Sequence, residues 1–150
     1  MKPILVVANT PSKNSLALRN AVQIGIEDCD YPVVIKPPLE TTAADVLSCG
    51  GIIIGTTENF GYMSGQIKDF FERIYYPCLE ETQALPWALY IKAGLDGTGA
   101  TRSIEKIVIG LKWKPIQGPL LLKGEFQEKF TEECQTLGSG MAEGLKLGIF

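Results

Sequence analysis

Five short apolar runs punctuate this sequence: Ile4 to Ala8, Pro32 to Ile35, Gly51 to Gly55, Ala88 to Ile91 and Pro119 to Leu122. Each is continuous rather than alternating. A strand with one wet face alternates apolar and polar residues, so unbroken runs of this length predict strands buried on both sides, as in a parallel sheet between two helical layers. The segments between them agree, because their apolar residues recur every three or four positions: Leu18, Ala21, Val22 and Gly25; Ile67, Phe70, Phe71 and Ile74; Ile104, Ile107, Val108 and Leu111. Thr42 followed by Asp45 gives a capping-box pattern for a shorter helix, and Phe126, Phe130, Cys134, Leu137 and Met141 trace the last one. Prolines at positions 115 and 119 place the fifth strand at a sheet edge, since proline cannot donate to a central ladder. Strand-helix units with right-handed crossovers predict one α/β domain over residues 1–150, a doubly wound five-stranded parallel sheet.

Composition narrows the partners. The formal charge of −3 supplies no basic stripe for nucleic acid, and no apolar run approaches the roughly 20 residues that a membrane-spanning helix needs. The first residues read as a strand rather than a signal peptide. Cys29, Cys49, Cys78 and Cys134 are scattered, without a C-x-x-C pair, and the chain has no histidine, so no metal site is expected and neither Ser-His nor Cys-His catalysis is available. Thiols of this kind suit a reducing compartment, and a cytoplasmic location is expected. Chemistry, if any, is expected to reside in a bound cofactor rather than in catalytic side chains.

Doubly wound sheets bind ligands where loops leave the carboxyl ends of the strands. After the first strand, Asn9-Thr10-Pro11-Ser12-Lys13-Asn14-Ser15 runs straight into a helix. Unpaired N–H groups at a helix start favour an anion, and Thr10, Ser12, Asn14 and Ser15 add donors to a phosphate cradle. The alternative is that Asn14 or Ser15 merely caps the helix. After the third strand, Gly55 to Gly65 carries Phe60, Tyr62 and Met63 among glycines, a composition able to wall a flat ring or simply to cover the sheet's upper edge. After the fourth, Lys92 to Ala100 includes Gly94, Asp96, Gly97 and Gly99, which would let backbone approach a planar ligand or form an ordinary turn. No G-x-x-x-x-G-K-[ST] is present, no G-x-G-x-x-G follows the first strand, and the positions a receiver domain fills with acids hold Gly55-Thr56-Thr57 and Asn9-Thr10.

Taken together, the loops resemble those of the flavodoxin-like FMN proteins, which include flavodoxins, NADPH-dependent FMN reductases and quinone reductases. Thr10-Pro11-Ser12-Lys13-Asn14-Ser15 is similar to the family's phosphate loop except that Lys13 stands at its glycine. Residues 55–73, GTTENFGYMSGQIKDFFER, resemble the second flavin loop and its helix. Gly94 to Thr101 is similar to the glycine-rich third loop of the reductase branch, and Glu133 to Leu145 to its closing helix. The resemblance implies a flavodoxin-like three-layer fold with strand order 2-1-3-4-5 and non-covalent FMN. Its phosphate would lie against Thr10, Ser12, Lys13, Asn14 and Ser15, and its ring among Thr56, Thr57, Glu58, Asn59, Phe60, Gly61 and Tyr62 on one side and Gly94, Asp96, Gly97 and Gly99 on the other. Backbone around Asn59 to Gly61 would meet the ring's polar edge, with Glu58 either biasing its potential or standing as a solvated charge.

Three functions fit that implication. An NAD(P)H-dependent oxidoreductase would reduce flavin, a quinone or a similar small acceptor; an electron carrier would dock to partner proteins; a flavin-free scaffold would act as a binding module, an idea prompted by Lys13. The mild charge and the glycine-rich third loop lean toward the oxidoreductase. Quinone reductases of this type pair into oligomers, so a homo-oligomer is compatible with the resemblance.

Overall fold

A computed structural model describes residues 1–150. In chain order the elements are β1 (Ile4–Ala8), α1 (Lys13–Glu27), β2 (Val33–Lys36), a 3-10 turn (Pro38–Glu40), α2 (Ala43–Leu47), β3 (Gly51–Thr57), α3 (Gly65–Cys78), β4 (Pro86–Ala93), α4 (Thr98–Leu111), β5 (Lys114–Pro115), β6 (Leu120–Lys123) and α5 (Glu128–Lys146). All neighbouring strands pair parallel, in the order β2-β1-β3-β4, and the fifth position beside β4 is shared by β5 and β6. The expected edge strand is therefore broken in two. Lys114 and Pro115 pair with Pro86 and Trp87, the Ile116 N–H still donates to the Trp87 carbonyl, the chain leaves the sheet from Gln117 to Pro119, and pairing resumes between Leu120 and Tyr90. Pro119 stands outside both pieces, and Pro115 is tolerated because the outer side of an edge strand has no partner.

The two-sided sheet expected from the continuous runs is present. Ile4, Val6 and Ala8 of β1 face one way and pack with Leu18, Val22 and Ile26 of α1 and with Phe130, Leu137 and Met141 of α5. Leu5 and Val7 face the other way, into a core with Ile67, Phe70, Phe71 and Ile74 of α3 and Ile104, Val108 and Leu111 of α4. Each such aliphatic side chain contributes about 2 kcal/mol relative to an exposed one. Trp113, between α4 and β5, closes the second core and donates its indole N–H to Thr82 Oγ1 at 2.9 Å.

Two glycines set how closely α1 and α5 approach. A methyl group at Gly25 would lie 2.0 Å from the Gln135 carbonyl oxygen, and one at Gly138 would lie 2.2 Å from that of Val22. The helices cross backbone to backbone at these two positions. The capping box expected at Thr42 forms: the Asp45 N–H donates to Thr42 Oγ1 at 3.3 Å, and the Thr42 N–H to Asp45 Oδ2 at 2.8 Å. Lys36 Nζ reaches Asp45 Oδ1 at 2.8 Å. Burial alone would raise the Asp45 carboxyl, but the Lys36 and Thr42 donors hold it below its ordinary value.

Candidate functional site

Three loops meet at the carboxyl ends of β1, β3 and β4. The first is short, because α1 begins at Lys13. Ser12 is its cap: the Ser15 N–H donates to Ser12 Oγ at 3.2 Å, and the Ser12 N–H to Ser15 Oγ at 2.9 Å. The Ser15 hydroxyl also donates to the Ser12 carbonyl at 2.9 Å and is buried, whereas Ser12 stays exposed. The cap is therefore Ser12 rather than Asn14 or Ser15. The N–H groups of Lys13 and Asn14 lie in the first turn, where no intrahelical carbonyl faces them. Lys13 is exposed and belongs to neither of the protein's two ion pairs, Lys36 with Asp45 and Arg73 with Asp69. No acidic residue stands in this turn. Beside it, Ala8 to Pro11, Pro37, Pro38 and Gln66 enclose a recess of about 260 Å³.

The second loop is built around a tight turn. The Asn59 N–H donates to the Tyr62 carbonyl at 2.9 Å and the Tyr62 N–H to that of Asn59 at 3.0 Å. Its two central residues, Phe60 (φ +53°) and Gly61 (φ +69°), both lie in the left-handed region, as a type I′ turn requires. Glycine and asparagine fill such positions at low cost; a phenylalanine there is strained by about 1–2 kcal/mol. Phe60 is also fully exposed, and Tyr62 is partly exposed with Lys68 Nζ 5.8 Å from its ring centroid.

Everything beneath this tip is tied down. Glu58 Oε2 accepts the Ala100 N–H at 3.0 Å, and Ser103 Oγ accepts the Met63 N–H at 3.2 Å, so the loop leans on α4 from both sides. A methyl group at Gly99 would lie 1.8 Å from the Gly61 carbonyl oxygen, which makes Gly99 the floor of the turn rather than a wall for a ligand. Thr56 is buried; its hydroxyl donates to the Thr57 carbonyl and accepts the Ser64 N–H at 3.0 Å, so its side chain is unavailable. Met63, expected beside the aromatics, lies in the α3–α4 core instead.

In the third loop Gly94 is exposed with no atom within 4 Å of a would-be side chain, and Leu95 stands out from the surface. Gly97 is buried with φ +75° and turns the chain into α4. Asp96 Oδ1 accepts the Thr98 N–H at 3.0 Å, and that bond lowers its carboxyl below the ordinary carboxylate range. Of the expected site residues, Ser12, Lys13, Asn14, Asn59, Phe60, Gly61, Tyr62, Gly94 and Asp96 are exposed, and Thr10 is half-buried. Glu58, Asp96, Gly97 and Gly99 assemble the α4 end, which removes the reading of Glu58 as a solvated charge.

Asn9 is the residue the sequence did not single out. It is buried at the end of β1, its N–H donates to the Gly55 carbonyl at 3.2 Å, its Nδ2 donates to Thr57 Oγ1 at 3.2 Å, and its Oδ1 accepts the Thr57 N–H at 3.3 Å. Thr57 Oγ1 passes a further bond to Asn59 Oδ1 at 3.1 Å. A lone asparagine at a strand end carries no distinctive signal in sequence. Cys49 and Cys134 lie in the core, their thiols pushed up to about 12 by burial, so neither supplies a thiolate at neutral pH.

Parallel order β2-β1-β3-β4 with an edge strand beyond, helices on both faces and three loops at one end decide the architecture. The chain has the flavodoxin fold. A flavodoxin from the domain Archaea superposes with a TM-score of 0.84 over 96% of this chain and 99% of its own, at 20% identity. The two-electron reduced flavodoxin of Megasphaera elsdenii gives 0.79 over 93% and 98%, at 18% identity. The flavodiiron protein of Giardia intestinalis gives 0.81 over 95% of this chain but only 36% of its own, at 13% identity, so there the flavodoxin fold is one part of a longer protein. No protein-family model matches the sequence, and no curated protein matches it.

Proposed function

We propose that this protein holds one FMN non-covalently at the three loops and passes electrons through it. The observation that carries the reading is Phe60: an aromatic ring in full solvent, on strained left-handed backbone, at the tip of a turn braced from α4 and from β1. Apolar exposure and strain both oppose folding, and such outliers persist where a ligand uses them. The donor set fits the group. Lys13 and the first-turn N–H groups of α1 suit a phosphate dianion, Phe60 and Tyr62 offer aromatic surface to a fused ring, and the open backbone at Gly94 gives a polar edge room to approach. When bound, FMN supplies one- and two-electron chemistry that no side chain here provides. The residues' part is to bind the phosphate, hold the ring beside the Asn59 to Tyr62 turn, and leave one edge reachable.

Two redox roles follow, each with its own support. The third loop carries no aromatic residue between Gly94 and Gly99, which leaves that side open to a small substrate and supports an NAD(P)H-dependent reductase of flavin, quinone or a similar acceptor. The match of this chain over 99% and 98% of two flavodoxins supports a carrier that serves protein partners. A visible spectrum of protein mixed with FMN and desalted, then titrated anaerobically with NADPH and NADH, separates them. Retained flavin that bleaches with either nucleotide identifies a reductase, and retained flavin that bleaches only with dithionite identifies a carrier. Loss of all flavin on desalting contradicts the proposal and leaves the scaffold reading.

A further inference from the structure

Away from the three loops, α3 and α4 leave an open groove of about 320 Å³, lined by Phe71, Tyr75, Tyr76 and Ile107 with Lys68 and Glu72 as its only charges. Tyr76 is 80% exposed and stands edge-on to Tyr75, so a large aromatic surface faces water there. The Tyr75 hydroxyl occupies the space that a side chain at Gly110 would need, 2.3 Å from a would-be methyl group, so its ring spans from α3 to α4 and the groove is preformed. Lys68 and Glu72 lie one helical turn apart on α3 yet form no ion pair; the protein's pairs are Lys36 with Asp45 and Arg73 with Asp69. A lysine four residues before a glutamate is the less favourable order for pairing along a helix. Lys68 Nζ leans instead toward the Tyr62 ring, 5.8 Å from its centroid, a contact weak enough at an exposed site to yield.

We infer that this groove is the contact between two copies of the chain, packed with their α3 helices antiparallel about a two-fold axis. A two-fold contact presents the same surface twice, so a groove with one cation and one anion a turn apart is complementary to itself, Lys68 of each copy meeting Glu72 of the other. A strongly acidic or strongly basic partner would satisfy only one of the two charges. Lys68, Glu72 and Tyr76 follow at four-residue spacing along one face of α3. The same register lays Tyr75 and Tyr76 of one copy over the Gly65 end of the other α3. Nothing lies within 4 Å of a would-be side chain at Gly65, so the rings have room. The neighbouring strip of α3 is already occupied within the chain: Arg73, paired with Asp69, donates to the Pro38 and Thr41 carbonyls at 2.7 and 2.6 Å. Nothing in this contact depends on flavin, because α1 lies on the opposite face of the sheet and its start stays open.

Sedimentation velocity over a range of protein concentrations reads the contact directly. The wild-type chain should pass from one-chain to two-chain mass in the tens of micromolar, the strength expected of a small interface. Glu72→Lys and Lys68→Glu each set like charges face to face, and each should weaken association by at least about ten-fold. The double swap, Lys68→Glu with Glu72→Lys, restores the complementarity and should return association to within about three-fold of the wild type. Tyr76→Ser should weaken it as well. Lys68 is half-buried and Glu72 and Tyr76 are exposed, so circular dichroism should show the same fold in every variant. A wild-type chain that stays single up to millimolar concentration overturns the inference and leaves the groove to a different partner. Single variants that associate like the wild type, a double swap no better than the singles, or a Tyr76→Ser variant without effect overturn it too, since the copies would then be held by some other surface.

Discussion

Two helices point their first turns at the same end of the sheet, and the protein treats them in opposite ways. α4 is quenched by its own carboxylates, Glu58 on the Ala100 N–H and Asp96 on the Thr98 N–H. α1 is capped by neutral serine hydroxyls, has no acid in its first turn, and carries the exposed cation of Lys13. The partial positive charge of a helix start is stabilised by an anion and disfavoured by a cation. The internal carboxylates make α4 a structural brace for the second loop, whereas no carboxylate of the first turn offsets the positive charge at α1, which is the end the proposal gives to the phosphate.

That contrast can be broken most severely at the brace. Gly99→Ala places a methyl group 1.8 Å from the Gly61 carbonyl oxygen, so α4 and the turn must separate. Overpacking of this kind costs about 2–3 kcal/mol, read by urea unfolding, and FMN affinity should fall more than about ten-fold. Phe60→Gly sharpens the same point from above. Glycine relieves the left-handed strain, so the apoprotein should gain about 1 kcal/mol while FMN binds several-fold more weakly. A variant that is less stable than the wild type would show that Phe60 serves folding.

Smaller effects are expected at α1. Lys13→Ala should weaken FMN by about three-fold at low ionic strength, the usual size of an exposed charge contact, and the difference should vanish near 1 M salt. Riboflavin, which lacks the phosphate, should not register the change. The smallest effect concerns acid. The Asp96 carboxyl is lowered in the folded protein, so its capping contribution is present above the ordinary carboxylate range and is lost as pH falls through the lowered value. Asp96→Ala should therefore be less stable than the wild type near neutral pH, and the gap should close in acid, as pH falls through the lowered carboxyl value. The α1 start has no such acid and should show no corresponding closure.

The legibility of the molecule differed between its core and its rim. The sheet could be read because continuous apolar runs such as Ile52 to Ile54 have one stable solution, burial on both faces, and helical stripes such as Ile67, Phe70, Phe71 and Ile74 locate the layer that covers them. The broken edge strand was less legible, since pairing there depends on where Trp113 anchors in the core. At the site, the loops were located by topology, but the division of labour within them was not. Ser12 and Ser15 look alike by type, yet they bond each other as a helix cap and only Ser12 stays exposed. Glu58 looks like a free charge and is a cap in space for a helix forty residues on, a role that no local spacing encodes. Asn9 binds a residue 48 positions away, so its role exists only once β1 and β3 are paired.

The most direct test of the central claim compares FMN with riboflavin in the wild-type protein by titrating flavin fluorescence in phosphate-free buffer. If the α1 start is kept for the phosphate and the Phe60 turn for the ring, FMN binds at one per chain and at least about ten-fold more tightly than riboflavin. Equal affinity for the two, or no saturable binding of either, would contradict the account.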